Sequence, residues 1–219
     1  MASVTPISCG FVKAFLVRGE RDVLVDAGTP GSAPRIVRAL ESLGVDPAGI
    51  GLVVVTHGHA DHTGGLAEIV QRTGARVVAH ELEADHVRKG TMPAANPRSL
   101  ATRLMLGEPG RSRAEGVEPA VLVEDELDLG EHGVAGKVVH TPGHTAGSVS
   151  IVLDTGEAIV GDLVLPAWIV AGPPRVAFWA RSRGDSLASI RKLLDLGARS
   201  FHCAHGGPFG RDALARLVS

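Results

Sequence analysis

Residues 52–65 read LVVVTHGHADHTGG, and the fold turns on that stretch. The four apolar residues make a short strand that is hydrophobic on both faces, as a central strand covered on each side would be. Directly behind it, His57, His59, Asp61 and His62 fall within six positions. In extended backbone, residues two apart point to the same side, so His57 and His59 can grip one cation. Asp61 and His62, beyond the bend, reach a second. Ligands gather at the carboxyl ends of strands in open α/β architectures, which is where this loop begins. Four donors do not complete two sites, so more are expected from elsewhere in the chain.

Working outward, short β-rich runs alternate with helical patterns on both sides. FVKAFLV (11–17) and DVLVDAG (22–28) read as a strand pair, and SAPRIVRALESLG (32–44) as a helix. Ser32 is expected at its N-cap, Pro34 in its first turn, and Ile36, Val37, Leu40 and Leu43 on one face before Gly44 stops it. GGLAEIVQRTG supplies another helix, RVVAH a strand, and HELEADHVRKG a further helix. The Pro-, Gly- and Arg-rich segment that follows has little periodicity; the excursion at about 81–118 is expected to leave the core as a lid. From AVLVEDELDLG onward strands return through GKVVHT, GSVSIVL and EAIVGD. A helix (DSLASIRKLLDLG), a strand (SFHCAH) and a last helix (RDALARLV) follow.

The missing donors sit at three of these later strand ends. VVHTPGHTAGS places His144 in a turn, AIVGD ends in Asp162, and SFHCAHGG carries His205. A carboxylate such as Asp162 has two oxygens and can bridge two cations, which neutral imidazole cannot do. Asp26 of VLVDAG reads either as a turn former before Gly28 or as a support for the ligand loop. His80, His86, His132, His140 and His202 read as turn, surface or core residues.

Composition excludes several classes. The chain has 219 residues, 44% hydrophobic and 21% charged, with a net charge of −2, which fits one globular domain over 1–219. The 22 basic residues against 24 acidic ones form no block and no tyrosine interleaves them, so a nucleic-acid partner is not expected. No apolar run is long enough to span a membrane, and MASVTPISCG lacks a secretory pattern, so a cytoplasmic location is expected. Two cysteines do not make a disulfide framework.

VLVDAG, THGHADHTGG, HTPGHTAGS, VGD and AHGG together resemble the motif set of the metallo-β-lactamase superfamily, in the branch with glyoxalase II and the lactonases. The resemblance implies a four-layer αβ/βα sandwich with two mixed sheets flanked by helices, and a site at one edge between the sheets. It implies one metal on His57, His59 and His144, a second on Asp61, His62 and His205, with Asp162 bridging and Asp26 behind the ligand loop. Imidazole and carboxylate donors suit two zinc ions, with iron or manganese as alternatives. The expected activity is hydrolysis of a small ester, thioester or lactone by a metal-bridging hydroxide, with Asp61 relaying the proton. An iron-dependent persulfide dioxygenase-like oxidoreductase is the alternative class, and β-lactamase-like or phosphodiesterase chemistry a further one.

Departures from the family's known branches limit the substrate. Only fourteen residues follow His205, too few for the glutathione-binding helices of glyoxalase II. The stretch after Asp162, LVLPAWIVAGPP (163–174), contains no charged residue, and Trp168 within it is a candidate pocket wall or contact in a homo-oligomer. A small-molecule substrate with an apolar portion is expected.

Overall fold

The computed structural model describes residues 2–93, 114–168 and 171–219, with the backbone alone at Trp168. The centre of the expected lid, 94–113, lies outside the described residues. Among the described residues there are two six-stranded sheets and one two-stranded sheet.

The first sheet has the order β1 (Ser3–Ser8), β2 (Lys13–Arg18), β3 (Val23–Val25), β4 (Leu52–Val54), β5 (Arg76–His80) and β6 (Val121–Val123). Antiparallel pairing joins β1 to β2 and β2 to β3, and parallel pairing joins β3, β4, β5 and β6. β1 was not anticipated from the sequence. Its Pro6 is tolerated because β1 is an edge strand, where a missing N–H breaks no internal ladder.

The second sheet runs in the order β14 (Phe209–Gly210), β13 (Ser200–His202), β10 (Glu157–Ile159), β9 (Val149–Leu153), β8 (Gly136–His140) and β7 (Glu126–Asp128). Only β10 and β13 pair in parallel. The run read as AVLVEDELDLG is therefore two strands, β6 and β7, separated by Glu124 and Asp125 and belonging to different sheets.

Alternation along each strand sorts the side chains into three cores. Val23, Val25, Leu52, Val54 and Val78 face Val138, Ile151, Leu153 and Ile159 between the sheets. Leu24, Val53 and Val77 point the other way, against Ile36 and Leu40 of α1 (Ala33–Ser42) and Leu66 and Ile69 of α3 (Leu66–Thr73). Val139, Val152 and Ala158 pack on Ile190 and Leu193 of α5 (Arg183–Asp195) and Leu214 of α6 (Arg211–Val218). The result is helix, sheet, sheet, helix, the expected four-layer αβ/βα sandwich. Burial of a Leu or Ile side chain contributes about 1.5–3 kcal/mol, so these layers supply the main driving force.

Local details differ from the sequence reading. Ser32 stands at the N-cap of α1 as expected, but it is helical in φ and ψ and makes no side-chain cap bond; its hydroxyl lies 3.0 Å from that of Thr29. Leu43 is exposed beyond the last turn rather than on the buried face of α1. LVLPAWIVAGPP forms a separate hairpin of β11 (Val164–Trp168) and β12 (Ala171–Val176). Within the segment expected as an excursion, Glu81–Lys89 form the helix α4, which packs against β5 and buries Ala84 and Val87. Beyond the undescribed residues, the Val117 N–H donates to Val87 O. No helix among the described residues is long and apolar enough to cross a membrane.

Candidate metal centre

β4 ends at Val54, and the chain turns through Thr56 into His57, Gly58 and His59 before the short helix α2 (Ala60–Thr63). This turn places Asp61 and His62 one helical step beyond the extended pair. The loop after β8 carries His144, the turn after β10 carries Asp162, and the loop after β13 carries His205. The structure brings all seven side chains to one edge of the sandwich. Six of them are buried, and Asp61 is about one-quarter exposed at its side chain.

His57 Nε2, His59 Nδ1 and His144 Nε2 form a triangle with sides of 3.1, 3.1 and 3.0 Å. Three ring nitrogens cannot all satisfy one another, because each contact needs a proton on one side only. Convergent lone pairs at this spacing suit tetrahedral coordination at about 2.0–2.1 Å.

Asp61 Oδ2 lies 3.3 Å from His205 Nε2 and 3.8 Å from His62 Nε2, a second group of potential ligands. Asp162 stands between the two groups. Its Oδ1 is 3.4 Å from His205 Nε2 and 3.5 Å from His62 Nε2, and its Oδ2 is 3.7 Å from His144 Nε2. His62 Nε2 and Asp162 Oδ1 are buried without a hydrogen-bond partner, as expected of atoms that face a cation.

The far sides of the rings are held. His62 Nδ1 is 2.7 Å from Asp26 Oδ2, and His205 Nδ1 donates to Phe11 O at 2.9 Å, which leaves each Nε2 aimed at the site. Asp26 also accepts from Thr56 N and Thr56 Oγ1, both at 2.8 Å. It is fully buried and has a positive φ of 60°, a conformation that aspartate tolerates better than most residues. The support reading of Asp26 thus has geometry behind it. Lys13 ties β2 to the His205 loop, its backbone N donating to Ala204 O at 3.0 Å and its ammonium to Gly206 O.

The electrostatics divide the two groups. Burial lowers the pKa of His57 well below the usual value, that of His59 to about 3 and that of His144 to about 4, so the triangle is neutral and its lone pairs are free. Burial also opposes charge on His205 and His62, but carboxylates win. Asp162 and Asp61 raise His205 to about 10, and Asp26, Asp61 and Asp162 raise His62. Burial likewise opposes the charge on Asp61, yet His62 and His205 lower it to about 2. A pocket that draws protons this strongly is one in which a divalent cation competes for the same places.

Several residues at the site were not singled out in the sequence. Thr56 lies inside the decisive motif yet anchors Asp26. Glu83, in the first turn of α4, is buried and accepts from Gly58 N at 2.8 Å and Gly147 N at 3.1 Å. In sequence it looks like an ordinary acid at a helix start. Phe11 stacks on His205 at 5.7 Å, and Trp179 meets His144 edge-on at 6.4 Å. The side chain of Trp168 lies outside what is described. Of the remaining histidines, His140 donates to Ala146 O on the His144 loop, His202 pairs with Glu157, and His80 caps α4.

The model of the metallo-beta-lactamase superfamily matches residues 6–202. The chain is 27% identical to the probable metallo-hydrolase YflN of Bacillus subtilis, covering 85% of this chain and 75% of that protein. It is 30% identical to a hydroxyacylglutathione hydrolase of Cupriavidus taiwanensis, over 86% of this chain and 61% of that one. An acyl-coenzyme A thioesterase of Homo sapiens is 28% identical, over 94% and 76%. The crystal structure of a metallo-beta-lactamase family protein of Thermus thermophilus superposes with a TM-score of 0.68 at 25% identity, over 99% and 78%.

Proposed function

The chain belongs to the metallo-β-lactamase superfamily, and on that premise we propose that it is a dinuclear metallohydrolase acting on a small thioester, ester or lactone. The observation that carries the proposal is the placement of Asp162, whose two oxygens face separate groups of histidines. His57, His59 and His144 would hold one ion, Asp61, His62 and His205 the other, and Asp162 would join them. Neutral imidazole and carboxylate without thiolate favour zinc, with iron or manganese as alternatives. Bound there, two such cations supply Lewis-acid polarisation of a carbonyl and bring a water's pKa near neutrality.

The chain's own side chains account for the rest. Asp61 is the most exposed of the seven, so its carboxylate is the one placed to pass a proton outward to water. Asp26 and the Phe11 carbonyl fix the rings of His62 and His205, removing the cost of orienting them during reaction. Phe11 and Trp179 offer apolar surface beside the two groups, suited to an acyl portion. Among carbonyl substrates the thioester comes first, because two of the relatives are described as thioester-cleaving enzymes: one a hydroxyacylglutathione hydrolase, the other an acyl-coenzyme A thioesterase.

The test is metal content measured beside turnover of a panel of acyl thioesters, esters, lactones, a β-lactam and a phosphodiester. Two ions per chain and thioester hydrolysis abolished by chelation are expected. A single iron with substrate-dependent oxygen uptake would replace hydrolysis by the oxidoreductase reading.

A further inference from the structure

Glu83 belongs to α4, outside all of the ligand loops, yet its side chain is 1% exposed and reaches two of them. Oε2 accepts the N–H of Gly58, the residue between His57 and His59, at 2.8 Å. Oε1 accepts the N–H of Gly147, three residues beyond His144, at 3.1 Å. Gly58 follows β4 of the first sheet, and Gly147 lies in the β8–β9 loop of the second. One carboxylate therefore fastens together the two loops that supply all three corners of the imidazole triangle.

The surroundings are shaped to this contact. A Cβ added at Gly58 would stand 2.9 Å from Glu83 Oε2, and one at Gly147 would stand 2.8 Å from Glu83 Cγ. Both backbones approach the carboxylate as closely as glycine alone permits. A buried carboxylate left without donors is unfavourable, so the two N–H groups and Glu83 hold one another in a fixed arrangement.

We infer that Glu83 is a positioning residue that sets the separation of the His57–His59 pair from His144 and thereby the affinity of that group for metal. The inference rests on the metal reading given above. Glu83 touches neither the ion nor the substrate; it acts through the backbone of the two loops. Its effect should fall first on the triangle and less on the group of Asp61, His62 and His205, because His205 lies on a loop that Glu83 does not touch and the ring of His62 is fixed separately by Asp26.

Glu83→Gln tests this, because an amide can accept from one of the two N–H groups but presents its own N–H to the other. Zinc affinity is measured by chelator competition, and cobalt-substituted protein reports the ligand geometry by its absorption spectrum. In the variant the triangle is expected to bind roughly ten- to a hundred-fold more weakly and the second group to be less affected. His144→Ala identifies which step of the titration belongs to the triangle. Gly147→Ala, which crowds Glu83 without removing it, is expected to weaken the same step, and Glu81→Gln on the exposed side of α4 to weaken neither. Wild-type affinity and an unaltered cobalt spectrum in Glu83→Gln would overturn the inference, as would equal weakening of both steps. A wild-type protein that takes up neither zinc nor iron nor manganese would overturn the metal reading itself, and this inference with it.

Discussion

Asp26 Oδ2 lies 2.7 Å from His62 Nδ1 while its Oδ1 takes the backbone N–H of Thr56, so one buried carboxylate fixes both the start of the ligand loop and a ring near its end. The pair couples β3 to the proposed metal ligands through groups with no access to water.

Asp26→Asn is expected to keep the shape and lose one acceptor, leaving either Thr56 or His62 unsatisfied. An unpaired buried donor costs about 1–3 kcal/mol, which denaturant melts of the metal-free protein will read. Affinity at the Asp61, His62, His205 group should fall roughly ten- to a hundred-fold. Unchanged stability and affinity would reduce Asp26 to a turn residue.

Asp162→Ala removes the side chain whose two oxygens face both groups. One ion is expected to be lost, together with most of the hydrolytic rate, because a lone cation no longer clamps nucleophile and developing oxyanion together. Metal content titrated against turnover checks this. Two tightly bound ions at full rate would show that Asp162 is not a bridge.

The stability of metal-stripped protein should pass through a maximum near pH 6.5. His59 and His144, buried, titrate at about 3 and about 4 when folded against 6.5 when free, so the unfolded chain binds more protons between those values and stability rises with pH. His205, which burial opposes but Asp162 and Asp61 raise to about 10, does the reverse: the folded state keeps a proton that the unfolded state sheds near 6.5, and stability falls as pH climbs toward 10. Below 3.8, Asp61 adds to the acid loss. Thermal melts across pH 4–10 are the measurement, and saturation with zinc should flatten the alkaline limb. A melting temperature constant from pH 7 to 9.5 in stripped protein would contradict the assignment to His205.

Phe11 is 64% exposed while stacked on His205, an arrangement with apolar surface in reserve. Each methylene added to an acyl chain should improve binding by up to about 0.8 kcal/mol until that surface is covered. Phe11→Ala is expected to raise KM for long-chain substrates about ten-fold with little change in kcat, since uniform binding is what it removes. An unaltered chain-length profile would place the acyl group elsewhere.

Much of this was legible because the chemistry and the fold share the same short stretches. LVVV announces a doubly covered strand by its unbroken hydrophobicity, and the histidines that follow need a strand end to converge. His144, Asp162 and His205 were found by the same rule. Glu83 was not legible, because its partners are backbone N–H groups of two glycines 25 and 64 residues away, and backbone donors leave no mark in a sequence. β1 was missed for a related reason: SVTPIS alternates weakly and contains a proline that only an edge position excuses. The division of VLVEDELD between two sheets is invisible to periodicity, since each piece looks like half of one strand.

That division has a consequence for the order in which the molecule is made. Every strand of the first sheet has left the ribosome once residue 123 has emerged, and its neighbours in space are mostly its neighbours in sequence. The proposed ligands are split the other way, four before Glu124 and three after Asp125, the last at residue 205. A nascent chain thus carries four of the seven proposed ligands, without their later partners, for as long as it takes to synthesise some eighty further residues. On the proposed ligand set, metal acquisition would become one of the final events of biogenesis, and the free-metal level in that interval would decide whether the early histidines meet their own partners or a stray ion first.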